Sequence, residues 1–182
     1  IFKNLNPATD IAFASGPMDV LDHSCSKLGF GGKMCIDGTK KYAEEIADGY
    51  SWATDEGRLT TPLLQSKFPE IHSANLSLLK KEIPCIILSV EKNRTGHIKE
   101  LHEQLCALPE TGSLKMILYV EHTVDANDLA TALWRFCNNL DPKRDNHLYQ
   151  QPATGFQHST GLQTGNPFAC IGLDGTRKTK EF

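Results

Sequence analysis

Between Ile83 and Asp145 the chain alternates twice between a short apolar run and a longer amphipathic one, which restricts it to an α/β architecture. Cys85-Ile86-Ile87-Leu88-Ser89-Val90 is nearly all apolar and rich in β-branched side chains. Such a run is too short for a buried helix and fits a strand covered on both faces. Pro84 stands at its entrance, where a missing N–H does little harm. Met116-Ile117-Leu118-Tyr119-Val120 is a second run of the same kind. Between them Ile98, Leu101, Leu105 and Leu108 form one stripe of a helix, with Lys99, Glu100, Glu103 and Gln104 on the wet side. Beyond the second strand Leu129, Leu133 and Cys137, with Ala130 and Trp134 beside them, predict a second helix. Asp125 is its expected N-cap, Asp128 favours the positive helix end, and Asn138-Asn139 suits the stop. His147-Leu148-Tyr149 is the expected third parallel strand.

Strand, helix, strand implies a parallel pair with a crossover. Open parallel sheets bind ligands outside the carboxyl ends of their strands. Those ends carry Glu91-Lys92-Asn93-Arg94 and Glu121-His122-Thr123. These residues are either the rim of a site or solvated loop.

The flanks are less regular. Ile11 to Ala14 predicts a short strand running into a Ser15-Gly16-Pro17 turn. Gly29-Phe30-Gly31-Gly32 reads as a flexible loop, and Lys33 to Asp37 as a brief strand. Tyr42 to Gly49 has helix-forming composition, whereas Tyr50 to Phe68 has no clean period and reads as an irregular connection. Pro69 to Lys81 predicts a short helix or strand, Gln150 to Pro167 a loop, and Phe168 to Ile171 a last strand. The expected fold is α/β, a mainly parallel sheet with covering helices. Its βαβαβ core spans 83–150, between irregular flanking segments.

Composition removes several classes. The 182 residues suffice for one domain with a real core. A net charge of −3 gives no basic footprint for nucleic acid. No apolar run is long enough for a membrane span, and no signal peptide is visible. Six scattered cysteines include no Cys-x-x-Cys pair, so no metal ligand set is expected, and the thiols read as reduced and cytoplasmic. The chain opens on Ile1 and closes on Lys180-Glu181-Phe182, and it reads as one domain, 1–182, of a longer protein.

Two flanking segments, 19–41 and 157–178, echo each other. His23-Ser24 precedes Asp37-Gly38-Thr39-Lys40-Lys41, and His158-Ser159 precedes Asp174-Gly175-Thr176-Arg177-Lys178. Asp-Gly-Thr followed by two basic residues can present N–H groups and cations to an anion. It can equally be a turn with a wet basic side. Each His can be a general acid or base, or a metal ligand.

Together these residues resemble the C-terminal domain of the UbiD family of reversible, non-oxidative decarboxylases. Asp19-Val20-Leu21-Asp22-His23-Ser24, Gly31-Gly32-Lys33-Met34 and Ile36-Asp37-Gly38-Thr39-Lys40-Lys41 are similar to one family stretch. Asp141-Pro142-Lys143-Arg144-Asp145, after a helix carrying Trp134, resembles the family's Asp-Pro-x-Arg-Asp, and Thr95-Gly96-His97-Ile98-Lys99 its Pro-Gly-His turn. The better copy of the first stretch precedes the Asp-Pro-x-Arg-Asp turn, whereas family members carry it after. The later copy has Gln157 for Asp and Asn166-Pro167-Phe168 for Gly-x-Lys, so which of the two is functional stays open.

The resemblance implies loss of CO2 from aromatic or α,β-unsaturated acids, as in quinone biosynthesis or aromatic-acid metabolism. It implies prenylated flavin mononucleotide (FMN) with a divalent metal and potassium in the full-length protein, none of them bound by this domain. Catalytic residues are then expected in other domains, leaving this one inactive alone. Its expected work is to wall the substrate pocket and to build a homo-oligomer. Asp22, His23, Lys33, Asp37, Lys40 and Arg144 are the residues expected near substrate or cofactor. The expected partners are the protein's own N-terminal and flavin-binding domains, a second copy and a small carboxylic acid. The alternative is a stand-alone α/β module for small-ligand binding or oligomerisation.

Overall fold

A computed structural model describes residues 1–22, 24–25, 27–45, 58–151 and 168–178. Strands β1 (Ile11–Pro17) and β2 (Phe30–Ile36) pair antiparallel as a two-stranded ribbon. After it come α1 (Thr61–Lys67), β3 (Ile71–Asn75), β4 (Cys85–Val90), α2 (His97–Cys106), β5 (Met116–Glu121), α3 (Leu129–Asn139), β6 (Asn146–Gln151) and β7 (Phe168–Asp174). Strands β3 to β7 form one sheet in the order β3-β4-β5-β7-β6. The centre is parallel, β4 with β5 and β5 with β7, while both edges, β3 and β6, run antiparallel. The α/β architecture stands, with a mixed sheet.

Alternation along the strands builds two cores. Ile86, Leu88 and Val90 of β4, Ile117 and Tyr119 of β5, and Cys170 of β7 face α1 and α2. Ile98, Leu101 and Leu105, the stripe expected of α2, pack there. Cys85, Ile87, Met116, Leu118, Val120, Ile171 and Leu173 face the other way, toward Ala132, Phe136 and Leu140 at α3. The ribbon covers the rest of that face with Ile11, Phe13, Met34 and Ile36. Lys115, buried just before β5, ties down the N-terminal stretch by donating to the Phe2 carbonyl at 2.6 Å. Burial pushes the Lys115 ammonium down to about 8, against the pull of Asp10.

The structure corrects several expectations. His147-Leu148-Tyr149 lies in β6, an antiparallel edge strand, and the third parallel strand is β7. Ala169–Asp174 is buried throughout, whereas β6 is polar and half-exposed, so burial gives the interior place to β7. Ser15-Gly16-Pro17 and most of the Gly29–Gly32 loop are strand, paired across the ribbon. A Cβ on Gly32 would stand 2.0 Å from Asp141 Oδ1, so that glycine serves close packing, not flexibility. The irregular connection contains α1, capped by the Thr60 hydroxyl. The span from Tyr42 shows a 3₁₀ turn over Ala43–Glu45, and residues 46–49 lie outside the described residues.

Helix α3 is capped by Asp128, which accepts from the Thr131 amide at 3.2 Å. Asp125 instead closes a turn with the Asn127 amide. The helix also shows the opposite face to the one expected. Leu129, Leu133, Trp134 and Cys137 are exposed, while Ala132 and Phe136 are buried. A Cβ on Gly175 would meet Phe136 Cδ2 at 2.4 Å, so the bare backbone after β7 is where the Phe136 ring seats.

Candidate functional site

The carboxyl ends of β4 and β7, the start of β6 and the start of α2 converge on one cleft of about 310 Å³. Lys92 follows β4, Gly96 and Lys99 open α2, Arg144 and Asp145 end the turn before β6, and Asp174 closes β7. His147 and Lys178 complete the lining. Because β6 pairs antiparallel with β7, Asn146 stands opposite Leu173, which brings Asp145 beside Asp174.

Asp174 Oδ1 accepts the Thr176 amide at 2.9 Å, the Thr176 hydroxyl, and Lys178 Nζ at 3.0 Å. Lys178 Nζ also lies 3.7 Å from Asp145 Oδ2, and Lys92 Nζ 3.9 Å from Asp174 Oδ2. Burial opposes the Asp174 charge, yet Lys178, the Thr176 hydroxyl and Lys92 outweigh it and hold the carboxyl below its ordinary range. Burial likewise pushes the Lys178 ammonium down, against the pull of Asp174 and Asp145. Arg144 grips Asp145 with Nε at 2.6 Å and Nη2 at 2.7 Å, which raises its already high pKa. Burial pushes His147 down despite Asp174, so its imidazole is neutral near pH 7.

Four cations, Lys92, Lys99, Arg144 and Lys178, face two carboxylates, Asp145 and Asp174. The surplus is positive, at a helix N-terminus, and fits a small anion such as a carboxylate or phosphate group. Ile98 is the one large apolar side chain in the lining, so the cleft does not fit a flavin ring, which needs an apolar slot. Lys178 already sits between the two carboxylates, in the place a hard divalent cation would take. A larger hollow of about 440 Å³ beside α1 carries a single charged side chain, Lys80.

Among the described residues, one group of potential metal ligands clusters, His102, Cys106 and Cys170, all buried behind α2. Its nitrogen and sulfur donors do not match the oxygen-preferring divalent metal and potassium that the resemblance implies.

The family model described as the 3-octaprenyl-4-hydroxybenzoate carboxy-lyase C-terminal domain matches residues 56–175 of this chain. The chain belongs to the UbiD family. An uncharacterised protein of Helicobacter pylori strain J99 is 35% identical over 139 residues, covering 72% of this chain and 20% of that protein. An uncharacterised protein of Aquifex aeolicus is 41% identical over 69 residues, 38% of this chain and 14% of that one. Vanillic acid decarboxylase of Sedimentibacter hydroxybenzoicus in its open form superposes with a TM-score of 0.51 at 16% identity, over 66% of this chain and 25% of that chain. At that identity the likeness is one of fold. The UbiD-type chain thus spans a quarter or less of each of these relatives.

The UbiD match begins after the ribbon, so of the six residues singled out in the sequence only Arg144 lies inside it. Arg144 is also the one of them in the cleft. Asp22 closes a local turn by accepting from the Ser24 amide at 3.0 Å and hydroxyl at 2.6 Å, and His23 lies outside the described residues. Lys33 projects from β2 with Nζ 3.1 Å from Met18 Sδ. Asp37 and Lys40 lie past the other end of that seven-residue strand, and Lys41, not Lys40, closes on Asp37 at 2.5 Å. The Lys41 hydrogen bond, with those from Thr39, pulls the Asp37 carboxyl far below its ordinary range. Among the described candidates, Arg144 lines the cleft, while Asp22, Lys33, Asp37 and Lys40 lie on the ribbon or the turns beside it.

The repeated Asp-Gly-Thr segment folds the same way twice. Thr39 N and Thr176 N each donate to the preceding aspartate at 2.9 Å, and Lys41 and Lys178 each reach back to it. The first copy is exposed at the ribbon's end, and the second is buried in the cleft. His158-Ser159 lies outside the described residues. Sequence reasoning placed Glu91-Lys92 at the strand ends but did not connect Asp174 and Lys178 to them, since that needs β7 inside the sheet. The repeat itself was the available signal.

Proposed function

We propose that this domain serves a UbiD-like non-oxidative decarboxylase of aromatic or α,β-unsaturated carboxylic acids, where it walls the substrate pocket. Membership of the family carries the reaction class. The cationic cleft at the strand ends supports the role, because it suits the carboxylate end of such a substrate. In the reaction the bond from the substrate carbon to the carboxyl carbon breaks, CO2 leaves, and a proton takes its place. Prenylated FMN, held with its metal and potassium by other domains of the full-length protein, supplies the electron sink when bound. The contribution of this chain is to orient the acid through Lys99 and Lys92, with Arg144 and Lys178 fixing the acidic pair beneath, and to exclude water on closing. The fold neighbour from Sedimentibacter is described in open and closed forms, which supports a closing motion. By this reading the domain alone releases no CO2, and the substrate is a small acid of quinone or aromatic metabolism handled in the cytoplasm.

Asp22 and Lys33 are assigned to the side facing the other domains, with Asp37 and Lys40 as turn and surface, and His23 remains a candidate on the family resemblance alone. Lys33→Ala is expected to lower turnover of the full-length protein while its melting curve is unchanged. Unaltered kinetics would make the ribbon scaffold only. The exposed stripe of Leu129, Leu133 and Trp134 on α3 supports a homo-oligomer.

The test of the reaction is CO2 release by full-length protein, reconstituted with prenylated flavin, against a panel of aromatic and unsaturated acids. Release from at least one acid is expected. A folded, flavin-loaded protein that releases none from any of them refutes the reading.

A further inference from the structure

We propose that His102, Cys106 and Cys170 form a buried zinc site behind α2, separate from the cleft. Their ligand atoms all lie within 4.8 Å of one another, and all three side chains are buried. Histidine nitrogen with two cysteine sulfurs is a donor set zinc prefers over harder cations. Zinc bonds of about 2.1 Å to nitrogen and 2.3 Å to sulfur put tetrahedral donors roughly 3.6–3.8 Å apart. Cys106 Sγ lies 3.6 Å from His102 Nε2 and 3.8 Å from Nδ1.

The elements that supply the ligands are buried in the core of the domain. His102 and Cys106 stand one helical turn apart on the buried face of α2, and Cys170 comes from the interior strand β7. His102 Nε2 lies 3.2 Å from the Cys170 carbonyl, so in one tautomer it donates there. A backbone carbonyl in that place is the common outer partner of a metal-bound imidazole, and it leaves the Nδ1 lone pair for the ion. Tyr119 Oη, 2.8 Å from Nδ1, is hydrogen-bonded to that nitrogen in this structure, and a zinc ion on Nδ1 would take the place of that bond. The ring has its place because Gly172 carries no side chain: a Cβ there would stand 2.6 Å from Nδ1. All three ligands are buried and none lines the cleft, so the site is structural and locks α2 onto β7, fixing the Gly96 end of α2 at the cleft.

The competing reading is a core histidine satisfied by Tyr119 and the Cys170 carbonyl, with two thiols as small hydrophobes. Binding and spectroscopy separate the two. Full-length protein, reduced and freed of metal, is titrated with zinc, and in parallel with cobalt as the spectroscopic probe. The expected result is a thiolate-to-cobalt charge-transfer band, which oxygen-ligated metal sites elsewhere in the protein cannot give, displaced by about one zinc per chain. Cys106→Ala and Cys170→Ala, each with a native circular dichroism spectrum, are expected to lose that band. If either variant fails to fold, His102→Gln is used, and it should shift the band or lose it. Folded wild-type protein that shows no charge-transfer band overturns the proposal. So does a band that survives in a folded Cys106→Ala or Cys170→Ala variant.

Discussion

Two aspartates in the same local turn show how far environment decides a residue's worth. Asp37 and Asp174 each accept from a threonine two residues on and a lysine four residues on. Asp174 is buried between Lys178 and Lys92, so Asp174→Ala strands buried cations and should cost about 3 kcal/mol in chemical denaturation. Asp37 is solvated, and Asp37→Ala should leave the denaturation midpoint nearly unchanged. The Asp174 carboxyl is held below its unfolded-state value, so its stabilising effect is full above about pH 4 and is lost as pH falls through the lowered folded value. Asp174→Asn should therefore flatten the acid limb of a stability-versus-pH curve. An unchanged acid limb would show that the pairing does not hold in solution. The repeat was visible in the sequence, but not which copy is buried, because burial depends on where β7 enters the sheet.

At the scale of elements, periodicity located α2 and its buried stripe but chose the wrong face of α3. Leu129, Leu133 and Cys137 keep helical spacing, and so do Ala132, Phe136 and Leu140. A 3.6-residue period cannot decide between two apolar stripes. What decides is the bare backbone at Gly175, against which Phe136 seats. Phe136→Ala should cost about 3–5 kcal/mol, and Leu133→Ala no more than about 0.5 kcal/mol, in urea denaturation. Equal costs would contradict the assignment of faces. Helix α1 went unread because seven residues are too few to show a period. The strand order went unread because β7 inserts between two elements that precede it in the chain. The ribbon docks on the Asp141–Asp145 turn through Gly32 and through Lys143 Nζ, 2.9 Å from Ser15 Oγ. Gly32→Ala should force the two apart and destabilise by about 1–3 kcal/mol, with the ribbon's amides losing hydrogen-exchange protection before the sheet's. Ribbon amides as protected as those of β4 would show that the contact can absorb a methyl group.

For the whole molecule, what stands is membership of the UbiD family and a cationic cleft at the ends of the strands. The family was legible as a set of co-occurring motifs, Asp141-Pro142-Lys143-Arg144-Asp145 foremost. The cleft was legible only in part, as strand ends carrying Lys92. Among the described residues no helix is long and apolar enough to cross a membrane. The proposed role depends on the cationic rim meeting the substrate anion, and Lys99 is the exposed cation there that can be reversed without disturbing a buried pair. The most direct measurement is the KM of flavin-loaded full-length protein for its carboxylic acid, wild type against Lys99→Glu. A rise of about tenfold or more, shrinking as salt is added, is expected from losing one charge-assisted contact. A folded Lys99→Glu protein with an unchanged KM at low salt would contradict the role assigned to the cleft.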